Sequence, residues 1–162
     1  MNLFLVLLSG ICWSIVYIEL IRKGFKDKTY GMPLFALGLN FAWEIIYSVD
    51  SLVLNPASVQ GVVNLIWAAL DAVIVYTFFK YGRRDFPDKA KKYFAPFSIL
   101  AFISCFAIQF AFYFHFESVP ASKYSAFAQN AAMSIMFLTM LFSRGSTRGQ
   151  TVLMAAAKWI GT

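Results

Sequence analysis

The chain has 162 residues, 60% of them hydrophobic, 19% aromatic and 14% charged. Soluble domains carry roughly 45–50% apolar and about 25% charged residues, so the soluble globular class is excluded, and a mean hydropathy of +0.65 agrees. The net charge of +6 does not point to nucleic acid, because most of the lysines and arginines sit in two short loops between apolar runs, as at the cytoplasmic flanks of membrane helices.

A membrane-crossing helix needs about 20 mostly apolar residues, since the hydrocarbon core is about 30 Å thick and the helix rises about 1.5 Å per residue. The first span is expected at about 3–21. It is apolar from Leu3 with no basic leader and no small-residue cleavage site, so it reads as a retained span. The loop after it carries Arg22, Lys23, Lys26 and Lys28 against Asp27. A second span at about 32–54 ends in the uncharged loop NPASVQG. The third, at about 62–79, leads into a loop with Lys80, Arg83, Arg84, Lys89, Lys91 and Lys92 against Asp85 and Asp88. The fourth span lies at about 95–115 and is followed only by Glu117 and Lys123. The fifth, at about 125–143, precedes Arg144 and Arg148. A sixth apolar run at about 151–162 would cover only about 18 Å, too short to cross, so a longer intact chain is expected.

The reading is an all-α, polytopic transmembrane helix bundle with five full spans and an incomplete sixth, forming one unit over residues 1–162. Basic loops alternate with nearly neutral ones, which predicts cytoplasmic first, third and fifth loops and an N-terminus outside. Cys12 and Cys105 lie inside apolar runs and the chain has one histidine, so neither a metal site nor a disulfide framework is expected. No cofactor is expected.

Charged groups at the bilayer centre cost at least about 2.5–3.5 kcal/mol and commonly face the bundle interior. Glu19 lies within a turn of Arg22 and Lys23, which suits an interfacial ion pair, and Asp50 lies toward the outer end of its span. Glu44 and Asp71 fall near the middle of the second and third spans with no basic residue within a helical turn. A carboxyl so placed is expected to keep its proton, either as a general acid or as a hydrogen-bonding link between helices. Helical spacing sets Asn40, Glu44 and Tyr47 on one face with Trp43 beside them, and Asn64, Trp67 and Asp71 on another. Ser125, Gln129, Asn130 and Ser134 form a polar stripe on the fifth span, and Gln109 lies mid-span in the fourth. Inward polar stripes with tryptophan and tyrosine suggest a cavity with a few fixed polar groups. Aromatic faces there could stabilise a carbocation, although 18 phenylalanines also suit ordinary packing.

Three stretches carry a resemblance: MPLFALGLNFAWEIIYS (Met32 to Ser48), WAALDAVIVY (Trp67 to Tyr76) and the run from Gln129 to Thr162. In order, they resemble the second, third and fifth-to-sixth segments of the integral-membrane terpene cyclases of meroterpenoid pathways. The resemblance implies a seven-helix bundle that cyclises a polyprenyl or epoxypolyprenyl chain without a metal, downstream of a prenyltransferase and an epoxidase. It implies that Glu44 delivers the initiating proton and that a second essential acid lies in a last span beyond this sequence. Asp71 is then a second catalytic candidate, and Asn40, Trp43, Tyr47, Trp67, Gln129 and Asn130 are substrate-binding candidates. The DDxxD-type cluster of ionisation-type cyclases and the DxDD-type motif of soluble protonating cyclases are both missing. A small proton-coupled transporter would also place acids at midplane, but the five prolines fall at or near span ends and no repeat is visible. A non-catalytic membrane protein, with the acids as links between helices, is the remaining alternative.

Overall fold

A computed structural model describes residues 3–162. Among them six α-helices follow one another: α1 (Leu3–Lys26), α2 (Leu34–Leu54), α3 (Val59–Tyr81), α4 (Phe94–His115), α5 (Ser118–Arg144) and α6 (Val152–Gly161). Two short 3-10 turns, Gly82–Asp85 and Asp88–Tyr93, link α3 to α4. The first five helices are long and apolar enough to cross a membrane; α6, at 10 residues, is not.

Several ends differ from the expected spans. Helix α1 runs five residues past position 21 because RKGFK continues the helical hydrogen bonding beyond the apolar stretch. Helix α3 starts at Val59, where the Ser58 side chain accepts from the Gly61 N–H and caps the first turn. The largest difference is at α5, which begins at Ser118 and not near residue 125. Its first turns, SVPASKY, are too polar to register as a span, yet Pro120 is tolerated within the first helical turn, where a missing N–H breaks no helical bond. Hydropathy marks the part of a helix that lies in hydrocarbon; the helix itself can run on past it into polar sequence.

The molecule is inside-out relative to a soluble bundle. Leu7, Ile11, Ile18, Val53, Ile103 and Phe142 stand on the outer surface, while Asn40, Glu44, Asn64, Asp71, Gln109, Ser125 and Gln129 are buried. In hydrocarbon this is the stable arrangement, because apolar side chains lose nothing by facing lipid and polar groups must find partners inside. Helix α2 is the central element, packed on α3, α4 and α5, and α1 lies between α3 and α6. Small residues permit the close approaches. A Cβ on Gly38 of α2 would lie 2.8 Å from Cys105 Sγ and 3.2 Å from its Cβ. Gly38→Ala is therefore expected to push α2 and α4 apart and cost about 1–3 kcal/mol, measurable as a lowered unfolding midpoint in detergent. A midpoint equal to the parent's would show that α2 and α4 are not that close.

At one end of the bundle the first, third and fifth loops meet. Asp85 pairs with Arg148 and, at 3.3 Å, with Arg144; Thr29 Oγ1 donates to Asp85 at 3.2 Å, and Arg144 also donates to the Tyr30 carbonyl at 3.0 Å. Asp27 accepts from the Gly149 N–H at 2.9 Å and pairs with Lys23. Burial alone would raise the Asp27 carboxyl, but the bonds from Lys23 and Gly149 outweigh it and hold it below the usual carboxylate range. Gly149 sits at φ 79°, and a Cβ there would lie 2.8 Å from the Tyr30 carbonyl oxygen, so glycine meets both requirements. Glu19 forms the expected ion pair, with Arg22 donating to both of its oxygens at 2.6 and 2.8 Å. At the opposite end Asp50 accepts from Tyr113 at 2.8 Å and from Ser118.

Candidate active site

The two mid-span carboxyls, 27 positions apart in sequence, belong to one buried cluster. Asn40 stands one turn before Glu44 on α2, and its Nδ2 donates to Glu44 Oε1 at 2.9 Å and to Asp71 Oδ2 on α3 at 3.0 Å. The same Nδ2 donates to the Tyr17 hydroxyl on α1 at 2.7 Å, and that hydroxyl donates in turn to Glu44 Oε1. Three helices thus converge on one amide. None of the ion pairs among the described residues involves Glu44 or Asp71. Glu44 Oε2 and Asp71 Oδ1 are buried without a hydrogen-bond partner among the described residues.

Tyr17 is the member that sequence reasoning missed. Its signal was Trp13 and Tyr17, four apart in the first span, which puts two aromatics on one helix face. Their rings lie 6.2 Å apart, and Tyr17 stacks on Trp67 of α3 at 6.0 Å.

A cavity of about 810 Å³ opens beside this cluster, lined by Trp13, Tyr17, Asn40, Trp43, Glu44, Trp67, Gln129 and Asn130 among others. It runs from exposed Leu5, Leu7 and Val59 at its mouth to buried Tyr17, Asn40 and Glu44 at its closed end. Its size is within the roughly 300–1,000 Å³ of small-molecule sites. Trp43 is held by a bond from Nε1 to the Ser122 carbonyl at 3.0 Å, and Trp67 by one to Ser14 Oγ at 3.3 Å. A second cavity, about 590 Å³ between α5 and α6, contains none of the expected site residues.

Two expected site residues stand apart from the lining. Asp71 is fully buried and does not line the cavity; it touches two residues that do, Asn40 and Glu44. Tyr47 points toward α5, where Ser125 Oγ donates to its hydroxyl at 3.4 Å. The polar stripe on α5 also divides, because residues four apart share a face but residues five apart do not. Ser125 and Gln129 are buried toward α2, whereas Asn130 and Ser134 turn toward α6, accepting from Lys158 Nζ at 3.5 and 2.9 Å.

The model of the Pyr4-like transmembrane terpene cyclases matches residues 1–162. The chain belongs to this family. It is similar to the Pyr4-family terpene cyclase mfmH of Annulohypoxylon moriforme, with 32% identity over 98% of this chain and 65% of the relative. It is also similar to the terpene cyclase andB of Emericella variicolor, 28% identical over 95% of this chain and 65% of the relative. The terpene cyclase pyr4 of Aspergillus fumigatus is 29% identical over 97% and 65%. The chain therefore spans about 65% of the length of the curated relatives it matches. No solved structure matches it. Five helices of crossing length in a transmembrane terpene cyclase family make this a multi-pass membrane protein.

Proposed function

We propose that the protein starts a carbocation cyclisation by giving the Glu44 proton to an epoxidised or alkene polyprenyl chain. One observation carries this reading: a carboxyl with no cation partner among the described residues stands at the buried end of a cavity walled by three tryptophans. On an epoxide the proton goes to the ring oxygen, the C–O bond breaks with its electron pair moving to that oxygen, and the carbon left behind becomes cationic. Neighbouring alkenes add to that cation in turn, and loss of a proton at the end leaves a product isomeric with the substrate. The faces of Trp13, Trp43 and Trp67 suit the cationic stages, each such contact being worth about 0.5–2 kcal/mol. Protonation, and not metal-assisted departure of a diphosphate, fits the acids present. Asp85 and Asp88 are the nearest to a metal-binding carboxylate pair, and they are engaged by Arg144, Arg148 and Lys91.

The substrate would reach the site from the bilayer, supplied by a prenyltransferase and an epoxidase acting earlier. The basic end of the bundle would face the cytoplasm. Residues 1–162 would act as a single unit.

The direct test is to incubate membranes holding the protein with epoxyfarnesylated aromatic compounds. A product of unchanged mass and altered retention supports the reading; a product of different mass, or none, sinks it. In the same assay Asp71→Asn should slow turnover about 10-fold, as Asp71 contacts Glu44 and Asn40 without lining the cavity and a single buried hydrogen bond is worth about 1–1.5 kcal/mol. Turnover and products identical to the parent's would make Asp71 purely structural.

A further inference from the structure

We propose that a relay of side-chain amides, anchored on the backbone carbonyl of Leu39, decides which oxygen of Glu44 carries its proton. The inference rests on the reading of Glu44 as the acid, and it assigns Gln109 and Gln129 as positioning residues.

The relay has a direction because its first member can only accept. Leu39 O receives Gln109 Nε2 at 3.2 Å, so the Gln109 amide must turn its nitrogen toward α2. That nitrogen also donates to Gln129 Oε1 at 2.7 Å. With its oxygen so engaged, Gln129 presents Nε2 to Asn40 Oδ1, at 3.4 Å. Asn40 in turn has only Nδ2 left for the acids, and it shares those two hydrogens among Tyr17, Glu44 Oε1 and Asp71 Oδ2. Each amide is oriented by the one before it. Gln109 Oε1 is left buried without a partner among the described residues, which is what a fixed orientation of this amide would leave.

The chemical result is a choice of oxygen. Glu44 Oε1 accepts from both Asn40 and Tyr17, so it is the carbonyl oxygen of the neutral acid. The proton is on Oε2, which receives no hydrogen bond among the described residues; it is available to a substrate in the cavity that Glu44 lines, with the Asp71 carboxyl, in hydrogen-bonding contact with Glu44, as the competing acceptor. If the Asn40 amide were turned over, its Oδ1 would face Oε1 and draw the proton there, into a hydrogen bond and away from the substrate. Gln109 does not line the cavity, so it acts only through Gln129 and Asn40.

Infrared spectroscopy reads the proton's position without turnover. The spectrum of the membrane-embedded protein minus that of Glu44→Gln isolates the Glu44 carboxyl band. A C=O stretch on the low-frequency, doubly hydrogen-bonded side is expected. A band at the free-carbonyl position would overturn the placement on Oε2, and no band at all would mean an ionised Glu44 and overturn it too. In Gln109→Met, which keeps the side-chain length and loses the donor, the band should move toward the free position. The same variant should lower kcat about 10-fold with KM within about 2-fold. An unmoved band and unchanged kcat would overturn the relay, and the parent's band position remains a test should that variant not fold. A correctly placed band in a protein that turns over no epoxypolyprenyl compound would support the proton placement while removing the cyclase reading.

Discussion

Glu44→Gln is expected to lower cyclisation of an epoxypolyprenyl substrate by about 10²–10⁴-fold, the usual worth of a positioned general acid. Glutamine fills the same volume and its Oε1 can still accept from Tyr17 on α1 and from Asn40 one turn earlier on α2. The bundle should therefore unfold within about 1 kcal/mol of the parent, since volume-conserving changes with retained hydrogen bonds cost little. The loss is then chemical: an amide has no proton of comparable acidity to give. Product formation by mass and retention, with the unfolding midpoint of the same preparation, separates the two effects. Turnover within a few-fold of the parent's would remove Glu44 from the acid role.

Asn40→Leu should give the largest loss of stability. One amide serves Tyr17, Glu44 and Asp71 and receives Gln129. Without it Asp71 Oδ2 loses the Asn40 donor while Oδ1 is already unpartnered, which leaves Asp71 only its contact with the Glu44 carboxyl. A buried polar group stranded in this way costs about 1–3 kcal/mol, and Gln129 loses its acceptor as well, so about 2–4 kcal/mol is expected. Adding Asp71→Leu to Asn40→Leu should recover part of that loss, as removing both partners of a buried polar pair is less costly than removing one. Denaturant unfolding in micelles measures all three proteins. A double variant less stable than Asn40→Leu would show that the cost lies in packing and not in the stranded carboxyl.

Five spans could be read from the chain because each is a run of about 20 apolar residues between polar loops, and lipid enforces that pattern directly. The start of α5 escaped because SVPASKY is helical but too polar to extend the hydropathy pattern of the span. Within the site, helical spacing placed Asn40 with Glu44 and Trp67 with Asp71, since that geometry is local to one helix. Which faces meet is set by the packing of α1, α2 and α3 around small residues, and no periodicity within one span encodes it. Spacing alone therefore grouped Tyr47 with Glu44, whereas the structure turns Tyr47 to Ser125. Tyr17 was hidden among 8 tyrosines and 18 phenylalanines; a hydroxyl in so aromatic a chain stands out only once its neighbour across the interface is known.

The pairing of α1 with α6 also constrains how the protein is made. Ser9 Oγ on α1 donates to the Gly161 carbonyl on α6, a partner synthesised 152 residues later. At about 5–20 residues per second that interval is roughly 8–30 s. Throughout it α1 waits in the bilayer with Ser9 and Cys12, the residues that later meet Gly161, still uncovered. The clasp of Asp85 on Arg144 and Arg148 closes only once the fifth loop has emerged. Ribosome stalling before residue 144 should therefore leave a nascent chain whose helices are inserted but unsealed, a form that membrane quality control would recognise.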